Sequence, residues 1–308
     1  MPIDQTLAEY SDWAYAAAAL VYFLALIAYA VEGAFGRSRK AARELVAAGP
    51  VPIGVIEEPA RRSLPERFGR SAVALTVLGA VLHLAALVLR GVATGRAPWG
   101  NMYEYGMATM FVAVVGWLVL LRKFDIRRLG AFVMTPVVIL LFLGFTVLYA
   151  EAAPVQPALK SYWLVIHVIA AASSSGLLLI PGVVSLLYLV RVRHEGGAPS
   201  RVGARLAPAD TLDRVAYQTT VFAFPIYTFG IIAGAIWAES AWGRAWGWDP
   251  KEVVAFVAWV VYAGYLHSRA TAGWRGTRAA VVNVVGFVMI LFNTFFINFV
   301  VTGLHSYA

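Results

Sequence analysis

Cysteine occurs at none of the 308 positions, and its absence removes three chemistries at once. No disulfide braces the fold, no thiolate holds a metal, and no thiol of this chain acts as a nucleophile, so any sulfur chemistry belongs to a partner or a substrate. Charge is scarce too: Asp, Glu, Lys and Arg make up 14% of the chain against 60% hydrophobic residues, where a soluble domain carries about a quarter charged residues. That deficit excludes an ordinary water-soluble fold and indicates an integral membrane protein. A basic leader is also missing. The residues ahead of the first apolar run, Met1 to Asp12, are acidic, and the cluster Arg37, Arg39, Lys40, Arg43 follows the run. This is the reverse of a secretory signal, so the first span is expected to remain in the mature protein. The net charge of +8 lies between apolar runs with no nucleic-acid motif beside it. It orients the chain in lipid, and no nucleic-acid partner is expected.

Apolar runs are plentiful: 13–35, 70–91, 102–121, 129–150, 162–190, 215–238, 252–268 and 279–300. Crossing a hydrocarbon core of about 30 Å takes roughly 20 helical residues, and backbone polar groups in lipid must be satisfied within the segment. The runs therefore predict an all-α, polytopic membrane helix bundle of about eight transmembrane helices. Of the 25 Lys and Arg, all but Arg90, Arg96, Lys160, Arg244 and Lys251 fall on one side of the alternating spans. The positive-inside rule puts that side in the cytoplasm and both termini outside. Residues 1–69 read as a first helix plus a charged cytoplasmic linker, Gly36 to Gly69, interrupted by Pro50, Pro52, Pro59 and Pro65. Residues 70–308 read as the main transmembrane domain. Ser173, Ser174, Ser175 and Gly176 predict close helix contact, and Pro136, Pro181 and Pro225 predict kinks.

Trp242, Trp246 and Trp248 fall within seven residues, between glycines, ahead of an apolar run. Asp249 suits an N-cap, Pro250 the first helical position and Glu252 the third, so an outward loop at 239–251 is expected to be locked to a helix start. Single tryptophans gather at membrane interfaces in any membrane protein; three fixed to one cap make a flat aromatic shelf. His167, just inside the outer end of the fifth span, and His305, just past the end of the eighth, fall at the same depth. Asn293 and Asn298, among phenylalanines of the eighth span, approach the same face. Two imidazoles beside an indole shelf suit a large planar apolar ligand with two axial nitrogen bonds, and haem fits. Zinc is the competitor, but this face offers no evident third ligand. His194 lies in a solvated basic loop. His267, at the cytoplasmic end of the seventh span, is a candidate ligand for a second haem. His83, mid-span, reads as a packed neutral histidine, with ligand or relay as the alternatives. Arg244 and Lys251 are candidate haem-propionate contacts, with interfacial snorkelling as the alternative.

The run Trp-Gly-Arg-Ala-Trp-Gly-Trp-Asp-Pro-Lys-Glu from Trp242, with Tyr-Trp-Leu-Val-Ile-His167, Tyr-Leu-His267-Ser-Arg and Gly-Leu-His305-Ser-Tyr, resembles the haem-handling membrane proteins of cytochrome c assembly. Specifically it is similar to the CcsA or ResC type subunit of the System II cytochrome c synthase, also labelled CcsB in bacteria. Pro98-Trp-Gly-Asn101-Met-Tyr103-Glu104 matches that type's Pro-x-x-Asn-x-Tyr-Glu segment, and the likeness covers most of the chain beyond about residue 75. The resemblance implies a bacterial plasma-membrane protein acting with a ResB or Ccs1 type partner as a holocytochrome c synthase, or cytochrome c haem lyase. It implies that haem b is carried across the membrane and held outside between His167 and His305 on the tryptophan loop, Asp249 included. A membrane-embedded haem would use His267 and a ligand from the partner. Thioether bonds to the Cys-x-x-Cys-His motif of an apocytochrome c would follow. A haem exporter without attachment activity is the alternative, and a scaffold with belt tryptophans a third reading.

Overall fold

The computed structural model describes residues 3–35, 63–154, 160–271 and 273–305. Among the described residues there is no strand, and eight helices are long and apolar enough to cross a bilayer. They are α1 (Gln5–Phe35), α2 (Leu64–Thr94), α3 (Met102–Lys123), α4 (Gly130–Thr146, whose span begins with the 3-10 turn Arg127–Leu129), α5 (Tyr162–Glu195), α6 (Ala209–Trp242), α7 (Pro250–Thr271) and α8. The last runs Thr277–Leu291 as α-helix and continues through a π-helical turn, Phe292–Ile297, to Val300. The chain is an all-α, multi-pass membrane protein.

Two boundaries differ from expectation for local reasons. Pro65 lies in the first turn of α2, where a missing N–H costs nothing, so residues 64–69 are helix rather than linker. The rest of that linker, 36–62, lies outside the described residues. α6 begins at Ala209, directly after Pro208, and its first turns carry Asp210, Asp213 and Arg214, too polar to register as part of an apolar span. Pro136, Pro181 and Pro225 sit inside α4, α5 and α6, each of which continues as helix on both sides.

Tyr15, Tyr22 and Tyr29 recur every seven residues along α1, share one stripe of the helix, and are at most 1% exposed. They anchor the larger core cluster, which joins α1 to α2, α3 and α4 and includes Trp117, Met107 and Val133. His83 belongs here, fully buried, with the rings of Tyr15, Tyr22 and Phe111 at 5.7, 5.9 and 5.6 Å and Nδ1 3.5 Å from the Tyr22 hydroxyl. A second cluster, of Leu178, Ala223, Tyr227, Ala258, Tyr262 and Ile290, joins α5 to α6, α7 and α8. α5 serves both halves. Gly176 lets α3 come so close that a Cβ there would stand 2.3 Å from the Thr109 carbonyl oxygen, which is the close contact the small-residue cluster led one to expect.

The alternation of spans gathers the starts of α3, α5 and α7 with the ends of α6 and α8 at one end of the bundle, here the tryptophan end. His267 and, among the described residues, the basic groups Arg122, Lys123, Arg127 and Arg128 lie at the other.

Candidate functional site

α6 runs on through Glu239–Trp242 and stops at Gly243, whose φ of 70° suits a left-handed helix cap. α7 starts at Pro250. The connecting loop is therefore 243–249, shorter than the expected 239–251, and Trp242 is the last residue of a helix rather than a loop residue. Asp249 and Glu252 form the reciprocal cap that their spacing predicts. Lys251 N–H donates to Asp249 Oδ1 at 3.1 Å, while the N–H groups of Asp249 and Gly247 donate to Glu252 Oε2 at 3.0 and 2.9 Å.

Asp249 does more than cap. Its Oδ2 accepts the Leu304 N–H at 2.8 Å and its Oδ1 pairs with His305 Nδ1 at 3.0 Å, which ties the chain's last described turn to the tryptophan loop. Burial pushes the Asp249 carboxyl up, but the donors from Leu304, His305 and Lys251 outweigh it and hold the group below its ordinary range, as the anion. Burial lowers His305 and the Asp249 bond opposes this only in part, so the imidazole is neutral near pH 7 with one lone pair to offer. With Nδ1–H given to the carboxylate, that lone pair is on Nε2. His167 has the same arrangement from another source: its Nδ1 lies 2.8 Å from the Gly230 carbonyl oxygen of α6, which leaves Nε2 as its acceptor nitrogen. No described residue takes up either Nε2. Fixing one ring nitrogen to orient the other is how protein ligands to metals are commonly prepared.

Both imidazoles pack against one side chain. Trp237, 2% exposed, stacks on His167 at 6.1 Å and 10° and meets His305 edge-on at 6.0 Å. Trp242 packs behind, 4.8 Å from Trp237 and 4.9 Å from His305. Both histidines line a cavity of about 200 Å³ walled by α3, α5, α6, α7 and α8, with Trp246, Tyr105, Asn293 and Asn298 among its lining. Its wall is mostly apolar. The polar exceptions include Asn293 Oδ1 and Asn298 Nδ2, which are buried and have no hydrogen-bond partner among the described residues. Buried polar groups in that state call for a ligand or water.

The remaining candidates are spread around this centre. Lys251 lines the cavity, its Nζ 2.6 Å from Asn298 Oδ1. Arg244 packs over Gly247, with Nη1 3.8 Å from Glu252 Oε2, as a brace of the loop. Trp248 is 69% exposed and meets Trp246 edge-on. His267 is not brought to this centre; it is exposed near the far end of α7. Among the described residues no three His, Cys, Asp or Glu side chains gather as metal ligands.

Sequence reading missed Trp237, a lone tryptophan inside an apolar run, where nothing marks it apart from core. It also missed the π-helical turn of α8, which brings Asn293 and Asn298 to one cavity wall. Such turns concentrate at functional sites, but no composition signal announces them.

Residues 99–305 match the family described as Cytochrome C assembly protein. Over 253 residues the chain is 35% identical to the cytochrome c biogenesis protein CcsA of Guillardia theta, covering 75% of this chain and 83% of that one. Over 264 residues it is 36% identical to the CcsA of Parasynechococcus marenigrum, covering 76% and 85%. Among solved structures it superposes on the Cytochrome c Heme Lyase CcmF with a TM-score of 0.67 at 17% identity, over 96% of this chain but 47% of that one, a likeness of fold. The chain belongs to the cytochrome c assembly protein family, as a CcsA-type cytochrome c biogenesis protein, and its role lies in cytochrome c maturation.

Proposed function

We propose that this chain, with a ResB or Ccs1 type membrane partner, moves haem b across the bacterial plasma membrane and presents it at the tryptophan end, on the extracytoplasmic side, for attachment to a Cys-x-x-Cys-His apocytochrome c. The observation that carries the reading is the pair His167 and His305. Two imidazoles from distant stretches pack against Trp237, each pinned through Nδ1, and both line an apolar cavity whose wall holds amide atoms with no partner among the described residues. Those features suit a planar apolar substrate that takes two axial nitrogens and carries a polar edge.

Haem supplies the reactive vinyl groups, across which the thiol S–H of the apocytochrome adds with no net oxidation, and a chain without cysteine cannot compete for them. The protein binds and orients. His167 and His305 offer Nε2 to the metal, Trp237 and Trp246 provide aromatic surface, and Asp249 holds His305 in its tautomer. Lys251 and Asn298 place a cation and an amide in the cavity wall, suited to propionate. His267, exposed near the far end of α7, waits for a second ligand from the partner.

Spectroscopy of the purified complex tests this, with His167, His305 and His267 replaced singly by Ala. The first two are expected to perturb one haem and the third another. Identical spectra from all three would refute the reading. A complex that loads haem yet never forms thioether-linked haem on a Cys-x-x-Cys-His peptide would make the chain an exporter instead.

A further inference from the structure

Four charged side chains meet beside the cavity, and the bis-histidine reading uses none of them. Arg90, near the end of α2, and Glu104, in the first turn of α3, are both 0% exposed. Arg90 Nε donates to Glu104 Oε1 at 3.1 Å. Arg96 closes on the same carboxylate, Nη1 to Oε2 at 2.7 Å and Nη2 to Oε1 at 3.1 Å, and the Gly100 N–H adds a bond to Oε2 at 2.7 Å. Asp12 of α1 supplies the second negative charge, 3.5 Å from Arg90 Nη1, and accepts the hydroxyls of Tyr103 and Tyr149 at 3.0 and 2.9 Å. The arginines also donate to the carbonyls of Ala150 and Ala153 in the turn after α4.

Two positive and two negative charges balance. A buried ion left alone is far more costly than a paired one, so Arg90 and Glu104, both fully buried, hold each other in place while the partly exposed Arg96 and Asp12 brace the pair. What it immobilises is the turn Trp99-Gly100-Asn101-Met102, which with Tyr105 forms one wall of the cavity. Capping α3 does not require this much, because Asn101 Oδ1 already accepts the Glu104 N–H at 2.9 Å, the one bond an N-cap ordinarily makes. The surplus comes from Arg90 of α2 and from Arg96 and the Gly100 N–H of the turn between α2 and α3, with Asp12 of α1 behind Arg90; α1 and α2 lie outside the matched segment 99–305.

We propose that Arg90, Arg96 and Glu104 are positioning residues for the haem cavity. Clamped from α2, the Glu104 carboxylate sets the wall at Trp99–Met102, so the two N-terminal helices complete a site whose ligands all come from later in the chain. The inference rests on the bis-histidine reading.

The test uses the chain in complex with its partner, with haemin as the probe. The absorbance lost in a His167→Ala/His305→Ala double variant defines the signal of the cavity; the haem signal that survives it is the internal reference, which a general loss of folding would also reduce. Arg90→Gln is expected to lower the cavity signal about 10-fold against the reference, the size typical when a ligand's supporting shell is lost, while Arg90→Lys keeps most of it. Arg96→Gln leaves the Arg90–Glu104 pair intact and is expected to lower the signal less, with a changed axial-ligand spectrum. A wild-type ratio and spectrum in Arg96→Gln and Arg90→Gln would overturn the inference. Should Arg90→Gln fail to assemble, Arg96→Gln alone decides. If the double histidine variant changes nothing, the site reading itself fails and takes this inference with it.

Discussion

Pro250, at the start of α7, and His267, near its far end, lie about 25 Å apart at 1.5 Å per residue, and the two ends of the helix are built on different plans. At the Pro250 end, Asp249 joins the tryptophan loop to His305, Trp237 joins His305 to His167, and five helices close a cavity around them. At the other end His267 is exposed, and the ties near it are structural: Arg269 donates to both oxygens of Asp213 at 2.5 and 3.0 Å and lies over Tyr217. One end brings two imidazoles together within a single chain; the other offers one. In the proposed reading the first site is complete in this polypeptide and the second is half of an interface.

The largest expected effect follows from that contrast. Purified without its partner, the chain is expected to keep the haem signal that depends on His167 and His305 and to show none that depends on His267. Absorbance of the lone chain and of its His267→Ala variant checks this, and the two spectra should coincide. A His267-dependent band in the lone chain would break the comparison.

Next in size is Asp249→Asn. Asparagine caps a helix as well as aspartate does, so the start of α7 should survive. The amide cannot accept both from His305 and from Leu304, however, and His305 loses the carboxylate that orients it. Haem affinity at the tryptophan end is expected to fall about 10- to 100-fold with little change in melting temperature, measured by haemin titration and thermal unfolding. The His267-dependent signal should not move. Equal loss of both signals would show that Asp249 serves the bundle rather than the histidine.

Gly234→Ala should act on the other imidazole. A Cβ at this position would stand 2.7 Å from both Cε1 and Nδ1 of His167, so the ring must shift. Alanine within a helix is otherwise favourable by roughly 0.5–1 kcal/mol over glycine. Overpacking against a ring held by Gly230 and Trp237 costs about 1–3 kcal/mol, so the variant is expected to lose a little stability overall while its His167-dependent haem spectrum changes and the His267-dependent signal does not.

The same contrast separates what was legible in the sequence from what was not. The spans are legible because lipid demands long apolar helices, and the Asp249-Pro250-Lys251-Glu252 cap is legible because its chemistry is local. The meeting of His167 with His305 could be anticipated only as a shared depth; their convergence on Trp237 is a matter of helix rotation, which a nearly uniform apolar run does not encode. Arg90 illustrates the remainder. By topology it counts as one of the few basic residues near the tryptophan end, yet it is fully buried against Glu104, and its partner fourteen residues on is set by how α2 and α3 pack.

The smallest expected effect concerns Trp248, the one non-glycine among the described residues with a positive φ, 59°. A left-handed backbone costs an L-residue about 1–2 kcal/mol, and here it holds an indole 69% exposed against Trp246. Packing does not account for it, because so exposed a ring buries little. Trp248→Gly removes strain and ring together. It is expected to raise stability by up to about 1 kcal/mol, since glycine's larger unfolded-state entropy offsets part of the relief. If the ring serves the proposed haem surface, haem retention at the tryptophan end should fall modestly while the His267 end is untouched. Higher stability with unchanged haem retention would instead assign the strained turn to loop geometry alone, and would confine the functional surface to Trp237, Trp242 and Trp246.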